Sequence, residues 1–362
     1  MAQLTCQNLC AGYDGRPVLQ DLTFELLAGD YLCIVGENGS GKSTLMKTIL
    51  GLQAPISGRI LTGDGLRKNE IGYLPQQTVV QKDFPASVRE IVLSGCQGRC
   101  GSRPFYNKEE KQLASDAMDK MQITRLARRC YRELSGGQQQ RVAIARTLAP
   151  EPTVLFMDEP LSNLDAKLRV EMRSVIRHTQ KSVGITTVYV THDQEEAMAI
   201  SDRIAVMKDG VIQHVGTPRD IYQRPKNVFV ATFIGRTNIV NAHVKDGIIT
   251  FADGYHEHID ALDKAAEQDV RCSIRPEEFI ICKDGTDGIH GTVQECTYLG
   301  LNTHYTIDTD QGDSVEIVEE SSIGEGLKKG EKVLLKVKKE KINVFTKDGG
   351  TNLIRSDAYE KQ

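Results

Sequence analysis

The sequence predicts an α/β domain built on a parallel sheet, followed by a smaller domain rich in β-strands. The first two thirds of the chain alternates short apolar runs with helical patterns, which is typical of parallel α/β folds. After about residue 233 the apolar runs become short and β-type, and Gly, Asp and Asn separate them. With 362 residues and 40% hydrophobic content, the chain can form one large core and a second, smaller one.

Three apolar runs, at residues 31–35, 154–157 and 186–190, are expected to be strands buried on both faces of the sheet. A helix is expected shortly after the first strand, from Leu45 to Leu50. Helical spacing returns after Asp165, which is suited to cap a helix N-terminus. The apolar positions of that helix are Leu168, Met172, Val175 and Ile176.

Residues from about 79 to 148 differ from the core pattern and are expected to form an inserted, mainly helical subdomain. The glycines and charges of residues 95–107 predict a loop. Leu113, Ala117 and Met121 then recur every four residues, as on one face of a helix.

The C-terminal part is expected to be a small β-barrel or sandwich. Its β-type runs are residues 270–274, 279–282, 303–307, 332–337 and 342–345. We therefore expect one domain over residues 1–235 and another over 236–362, with the polar stretch near Pro225 as a connector.

Charge and hydropathy exclude several classes of protein. Lys and Arg number 45 and Asp and Glu 49, a net charge of −4, so no broad nucleic-acid surface is expected. No apolar run approaches the roughly 20 residues of a membrane helix. The first ten residues carry polar side chains throughout, unlike a secretory signal. We expect a cytosolic chain whose membrane work is done by a partner.

The nine cysteines are odd in number and scattered, which favours reduced thiols over a disulfide framework. The pairs Cys96/Cys100 and Cys6/Cys10 have a helical spacing that leaves a metal site open, although no His or further Cys lies near them in sequence. His256 and His258 are expected at a solvated hairpin end rather than as a ligand pair.

Residues 36–44 match the pattern G-x-x-x-x-G-K-[ST] between the first expected strand and the first expected helix. Glycines let backbone N–H groups curl around phosphates, and a helix N-terminus adds free donors. Lys42 would face the β- and γ-phosphates of ATP, and the Ser43 hydroxyl would bind Mg²⁺. The predicted ATP-binding residues are Gly36, Glu37, Asn38, Gly39, Ser40, Gly41, Lys42, Ser43 and Thr44.

Two carboxylates follow the strand at residues 154–157. Asp158 is expected to be a partner of the Mg²⁺, directly or through another ligand. Glu159 would lean over the γ-phosphate, where a carboxylate can orient and deprotonate the attacking water. Taken alone, Asp-Glu after a strand is a common turn, but the phosphate loop upstream favours the functional interpretation.

A five-residue segment, Leu134, Ser135, Gly136, Gly137 and Gln138, is followed by Gln-Gln-Arg141-Val-Ala-Ile-Ala-Arg146. It resembles the LSGGQ signature of ABC ATPases. Ser135 offers a hydroxyl, and the two glycines leave amides open at the start of a helix, so the segment suits an anion. The resemblance implies that it closes over the ATP of a second subunit, in a head-to-tail dimer that buries two ATP molecules.

The other elements of that family follow in order, so the resemblance covers about residues 1–235. Tyr13 resembles the aromatic residue that stacks on adenine. Gln76 resembles the glutamine that touches Mg²⁺ and water and reports to the membrane subunit. Gln77 is adjacent, which leaves the register open by one residue. The loop from Ser162 to Asp165 resembles the loop that crosses the dimer interface. His192 resembles the switch histidine that contacts the γ-phosphate and holds the water of Glu159 in place.

Import is the expected role, and a non-transport ATPase of the translation or DNA-repair type is the alternative. Translation-type members carry two nucleotide domains per chain, whereas this sequence has one phosphate loop. Repair-type members insert a long coiled coil before the signature, and no sustained heptad pattern occurs here. Exporter subunits usually carry membrane helices of their own, whereas no membrane helix is expected in this sequence.

The two ends of the sequence resemble different importer groups. Ser273-Ile-Arg-Pro276, the segment from Tyr298 to Gly300 and Val344-Phe345 resemble the oligonucleotide-fold-like TOBE domain of importer ATPases for sugars, iron(III), polyamines, sulfate and quaternary amines. That domain pairs with its twin and either senses a regulator or dimerises passively. Residues 12–150 resemble zinc and manganese importer ATPases instead.

The resemblance implies a set of partners and a location. The partners are a second ATPase subunit, an integral permease and, indirectly, an extracellular or periplasmic solute-binding protein, with no nucleic acid. The location is the cytoplasmic face of the membrane, as a peripheral protein.

Overall fold

The computed structural model describes residues 2–63, 65–67, 70–76, 85–282, 285, 287–321 and 326–355. It divides into two compact units, Met1–Pro218 and Arg219–Gln362. The division lies before the predicted boundary after residue 235, because residues 219–235 group with the second unit. Gln77 and the start of the predicted helical subdomain, at Val79, lie outside the described residues.

The first unit combines two sheets with helices. Its elements in chain order are β1 (Ala2–Tyr13), β2 (Arg16–Leu27), β3 (Tyr31–Gly36), α1 (Lys42–Ile49), β4 (Ser57–Thr62), β5 (Ile71–Leu74), α2 (Val88–Ser94), α3 (Lys108–Lys120), α4 (Gly136–Leu148), β6 (Val154–Asp158), α5 (Ala166–Val183), β7 (Thr186–Thr191), α6 (Gln194–Ile200), β8 (Arg203–Lys208) and β9 (Val211–Gly216).

The main sheet has the strand order β5-β6-β7-β3-β8-β9, parallel except for the last pair. All residues of β3 and β7 are buried, which explains why their sequences are apolar or small throughout. The three predicted core strands are confirmed as β3, β6 and β7, and the two predicted helices as α1 and α5. The parallel order places the carboxyl ends of β5, β6, β7 and β3 at one edge.

A second sheet of the first unit, with the order β2-β1-β4, is antiparallel and was not predicted. Its buried side chains, among them Leu4, Leu9 and Leu22, join the same hydrophobic core as Ile34 and Phe156 of the main sheet.

The described part of the segment from residue 85 to 148 is mainly helical, as expected. Helix α3 buries Ala114, Ala117 and Met118, while Leu113 is only half-buried. The loop predicted over residues 95–107 is wrong at its start, because Gly95–Arg99 forms a 3₁₀ helix that continues from α2. Capping boxes at Ser87 and Asn107 begin α2 and α3.

The second unit is rich in β-strands. From the unit boundary onward the elements are α7 (Pro218–Gln223), α8 (Val228–Phe233), β10 (Asn238–Lys245), β11 (Ile248–Phe251), β12 (His256–His258), β13 (Gln268–Ile274), β14 (Phe279–Cys282), β15 (Ile289–Tyr298), β16 (Asn302–Thr309), β17 (Ser314–Glu320), β18 (Lys332–Val337) and β19 (Asn343–Thr346).

These strands form two antiparallel sheets, with the orders β12-β11-β10-β13-β19 and β14-β18-β15-β16-β17. Both sheets contribute to one hydrophobic core, with Val270 and Val344 from the first and Ile307 and Leu335 from the second. The predicted runs are confirmed as β13, β14, β16, β18 and β19. A curled sheet pair over a single core is the barrel-like architecture that the sequence predicted.

Candidate functional site

The phosphate loop joins the carboxyl end of β3 to the first turn of α1. Gly41 immediately precedes the helix with φ of 100°, a left-handed conformation that a side chain would strain. Glu37, Asn38 and Gly39 are exposed, whereas Ser40 and Thr44 are buried. The loop therefore presents backbone to solvent at a helix N-terminus, as an anion site requires.

Lys42 points into this loop rather than away from it. Its Nζ donates to the carbonyl oxygens of Gly36 and Glu37, each at 2.8 Å, and the residue is only 6% exposed. Burial lowers the pKa of the Lys42 ammonium, although Glu159 and Asp158 oppose that shift. The Ser40 hydroxyl is buried and has no hydrogen-bond partner within the described residues. A polar atom without a partner and a buried cation fit an anionic ligand in this loop.

The two carboxylates after β6 have different environments. Burial and the neighbouring Glu159 raise the pKa of Asp158, and the Tyr73 hydroxyl lies 3.5 Å from its Oδ2. Glu159 has a left-handed backbone with φ of 43°, and its N–H donates to the Val190 carbonyl at 2.9 Å. The turn at Glu159 is thus fixed against the end of β7.

Glu159 is held by two of the predicted residues. Its Oε2 accepts from Gln76 Nε2 at 3.2 Å, and its Oε1 lies 3.0 Å from His192 Nδ1. Gln76 follows β5 and His192 follows β7, so the two neighbours of β6 supply the two contacts. His192 is exposed over 52% of its side chain, whereas Glu159 is exposed over 17%. The structure therefore brings Gln76, Glu159 and His192 together at one edge of the sheet.

The residues with oxygen atoms suited to Mg²⁺ lie on the same edge. Ser43 is exposed on the first turn of α1, Asp158 ends β6, and Gln76 follows β5. Carboxylate, hydroxyl and amide oxygens are ligands that Mg²⁺ accepts. Because burial disfavours the charged form of Asp158, a cation there would offset an existing cost.

The signature segment begins α4. Ser135 is the N-cap, and its Oγ accepts from the Gln138 N–H at 3.4 Å while Gln138 Oε1 accepts from the Ser135 N–H at 3.1 Å. Ser135 and Gly136 are exposed, whereas Leu134 and Gly137 are buried. The hydrogen bonds of this capping box stay within the segment, so its exposed N-terminus remains open to a ligand.

The loop from Ser162 to Asp165 connects Glu159 to α5. Ser162 Oγ donates to the Glu159 carbonyl at 2.9 Å. Asp165 caps α5 as predicted, with Oδ1 accepting from the Leu168 N–H at 2.9 Å. Tyr13, at the end of β1, is 48% exposed and its ring centroid lies 6.0 Å from Lys47 Nζ.

A cleft of about 1010 Å³ lies between β5 and the helices α2 and α4. Tyr73 and Pro75 line one side, and Glu90, Ile91 and Arg146 line the other. Tyr73 also approaches Asp158, so one side chain faces both the cleft and the site. Sequence reasoning missed Tyr73, although its place in Tyr73-Leu-Pro-Gln76 was a usable signal.

The alternative metal sites find no support. All nine cysteines are free, and no cluster of three His, Cys, Asp or Glu side chains suited to a metal occurs in the described part of the chain. Cys6 and Cys10 lie on strand β1, so their helical spacing was misleading. His256 and His258 form the exposed edge strand β12, as expected for a hairpin end.

Comparison with known proteins decides the family. Residues 19–162 match the ABC transporter family and residues 272–345 match the TOBE domain. An Fe(3+) ions import ATP-binding protein, FbpC, of Fusobacterium nucleatum is 46% identical over 359 residues, covering 96% of this chain and 94% of that protein. This chain belongs to the ATP-binding subunits of ABC importers. A spermidine/putrescine import ATP-binding protein, PotA, of Marinobacter nauticus is 38% identical over 324 residues, 86% of each chain.

Two solved structures of ABC transporter proteins are similar to this ABC importer subunit in fold and sequence. The cbiO1 protein of Clostridium perfringens, part of the cbiONQ complex, matches with a TM-score of 0.55 and 31% identity over 61% of this chain and 90% of that one. An inward-facing ABC transporter assigned to the metal-chelate type matches with a TM-score of 0.57 and 28% identity, covering 72% and 97%.

The ABC importer subunit couples ATP hydrolysis to import and works with a membrane permease. None of its helices in the described ranges is long and apolar enough to cross a membrane. The relatives reported above are named as import ATP-binding proteins, so they do not support the non-transport alternative.

Proposed function

We propose that this subunit hydrolyses MgATP at the phosphate loop, with Glu159 as general base and His192 as the residue that fixes it. The observation that carries the proposal is the placement of Glu159, which lies between Gln76 and His192 and follows the half-buried Asp158. A carboxylate held from two sides has a defined direction, which a base for a bound water needs.

The chain's own residues supply the other roles. Lys42 would exchange its two carbonyl contacts for phosphate oxygens, and the loop amides would hold the rest of the triphosphate. Ser43, Asp158 and Gln76 would hold Mg²⁺, which when bound neutralises charge on the β- and γ-phosphates. Tyr13 would cover the adenine with its exposed ring.

The signature segment supports a head-to-tail dimer in this proposal. Ser135 and Gly136 are exposed at a helix N-terminus whose capping box is formed within the segment itself. A second copy, or a paired ATPase subunit, would contribute its phosphate loop to this surface. Two MgATP molecules would then lie in the interface.

The test of this site compares two histidines. His192→Ala should lower kcat for ATP hydrolysis about a hundredfold and leave the ATP dissociation constant unchanged, because the base loses its fixed direction. His178→Ala, an exposed position on α5, is the matched control and should behave as wild type. Wild-type hydrolysis by His192→Ala would refute the assignment.

The cleft beside Tyr73 supports a contact with the permease. Its lining mixes apolar side chains with Glu90 and Arg146, as a transient interface does, and its wall reaches Asp158 through Tyr73. The subunit would then be peripheral at the cytoplasmic face of the membrane. Co-purification of an integral membrane protein with the full chain supports this contact, and association with ribosomes or DNA alone would refute it.

The transported solute is proposed from the relatives. FbpC, at 46% identity over nearly the whole chain, is named for Fe(3+) import, so iron(III) delivered by an external solute-binding protein is the favoured substrate. PotA, at 38% identity, makes polyamines the second candidate. Uptake of radiolabelled iron(III) and spermidine in cells lacking this chain distinguishes them, since only one should fall.

A further inference from the structure

Two arginines on α5, Arg169 and Arg173, contact the same carboxylate directly behind His192. Arg169 Nη1 lies 3.3 Å and Arg173 Nη2 3.2 Å from Asp193 Oδ2. Asp193 also caps α6, with its Oδ1 accepting from the Glu196 N–H at 3.0 Å. Either arginine can therefore restrain Asp193 at the start of α6, and His192 immediately precedes Asp193 in the chain.

Only one of the two arginines also reaches the loop from Ser162 to Asp165 among the described contacts. Arg169 Nη2 donates to the Leu164 carbonyl at 3.2 Å, and its Nε lies 3.7 Å from Glu196 Oε1. The other ion pair of Arg173 goes to Glu195, whose side chain is 86% exposed. Arg169 thus spans two segments, whereas Arg173 strengthens one.

The loop from Ser162 to Asp165 is joined to Glu159 at its start and, near its end, to Asp193, the residue after His192. At its start, Ser162 Oγ donates to the Glu159 carbonyl at 2.9 Å. At its end, Leu164 is joined through Arg169 to Asp193, which follows His192. With Arg169 in place, a displacement of this loop would move Glu159 and His192 together. Without Arg169, the same displacement would move Glu159 alone and separate the two side chains.

We propose that Arg169 is a positioning residue that couples the loop from Ser162 to Asp165 to the His192 segment, so that the position of this loop sets the 3.0 Å contact between His192 and Glu159. The inference rests on the proposed roles of Glu159 and His192. The loop is also the segment proposed to cross the dimer interface, so Arg169 would let the partner's arrival adjust the base.

The chemistry of the bridge requires a guanidinium. Its planar fork donates to the Leu164 carbonyl and the Asp193 carboxylate at the same time, in fixed relative directions. A lysine ammonium at this position could neutralise Asp193 but would not hold both partners in one plane. Charge alone therefore should not restore the coupling.

The experiment compares Arg169→Met with Arg173→Met in the full chain. Both lose a cation beside Asp193, and each is measured for ATP affinity, thermal midpoint, and kcat and KM of ATP hydrolysis. Arg169→Met should lower kcat about tenfold with KM and ATP affinity unchanged, because the base is misplaced and binding is not. Arg173→Met should keep wild-type kcat, and Arg169→Lys should not rescue the loss.

Two outcomes would overturn the inference. Wild-type kcat in Arg169→Met would show that no coupling exists, and equal kcat losses in both methionine variants would show only support of α6. If Arg169→Met does not fold, Arg169→Lys provides the same comparison. Because His192→Ala is assayed in parallel, wild-type hydrolysis by that variant would instead refute the proposed function.

Discussion

Glu159 combines an unusual backbone conformation with a restrained side chain. A positive φ at a residue other than glycine costs on the order of 1 kcal/mol or more, and such conformations concentrate at functional sites. Four contacts oppose that cost. The N–H of Glu159 donates to Val190, its carbonyl accepts from Ser162, and its carboxylate contacts Gln76 and His192. The carboxylate is therefore directed by the fold before any nucleotide arrives.

Glu196 is a buried carboxylate in the first turn of α6, and it offers a pH test. Its Oε2 accepts from the Tyr189 hydroxyl at 2.8 Å and from Thr191 Oγ1 at 3.0 Å. Burial raises the pKa of Glu196 above 4.5 despite these contacts. Folding therefore favours its protonated form, and wild type should lose stability relative to Glu196→Gln as pH rises from about 4.5 through the raised pKa.

Urea unfolding of both proteins across about pH 4 to 8 checks this sign. Glu196→Gln keeps an oxygen acceptor and a similar volume, so the pH dependence of the difference belongs to the carboxylate. A difference that stays flat, or that moves in favour of wild type as pH rises, would contradict the raised pKa.

The residues of the candidate site could largely be chosen from the sequence, because the side chain of each motif residue has the chemistry that its proposed role needs. Lys42, Asp158, Glu159 and His192 lie at or after the carboxyl ends of β3, β6 and β7, which meet at one edge of the sheet, and their roles stay predictions. The left-handed backbone of Glu159 and the guanidinium bridge of Arg169 were not predictable, since both depend on which loops meet at the sheet edge. No spacing along the chain encodes that meeting.

At the scale of elements, the packing of α4 against α5 explains the buried glycine of the signature. A Cβ placed on Gly137 would lie 2.6 Å from Leu168 Cδ1 and 3.1 Å from its Cγ. A Cβ on Gly136 would meet only Leu164 Cδ2, at an ordinary 3.4 Å. The start of α4 thus approaches the start of α5 closely only at Gly137.

Gly137→Ala should destabilise the fold by about 1 kcal/mol, at the low end for overpacking because the half-buried Leu168 side chain can turn away, measured by denaturant unfolding. Gly136→Ala is the matched control and should cost less. In a Leu168→Ala background the cost of Gly137→Ala should shrink, because the colliding methyl groups are gone. Equal costs in both backgrounds would show that the glycine serves another need.

The antiparallel sheet β2-β1-β4 was not predicted, and its strand β1 shows why. Leu4 and Cys6 are buried on β1, but the next buried residues are Leu9 and Ala11, of opposite parity. Asn8, with φ of 47°, lies at the register shift that changes the parity. Bulges of this kind erase the alternation on which strand prediction depends. Strands β3, β6 and β7 were predictable because burial on both faces needs no alternation.

At the scale of the whole molecule, the proposed dimer requires that one chain hold two halves of different sites. The phosphate loop with Glu159 is one half, and the exposed start of α4 at Ser135 is the other. Closure of a dimer would join them, and ATP would favour the closed state to the extent that it binds there more tightly. Both halves stay predictions from the order of motifs, and their joining depends on a second subunit that no single sequence describes.

The most direct test of the proposed function measures ATP hydrolysis and ATP-dependent dimerisation of the Glu159→Gln variant. The variant keeps the shape of the side chain and one of its two oxygen acceptors, but it cannot accept the proton of water. We expect ATP affinity close to wild type, loss of turnover by at least about a hundredfold, and a stable dimer in MgATP by size-exclusion chromatography. Near wild-type hydrolysis, or loss of ATP binding with no dimer, would contradict the proposed function.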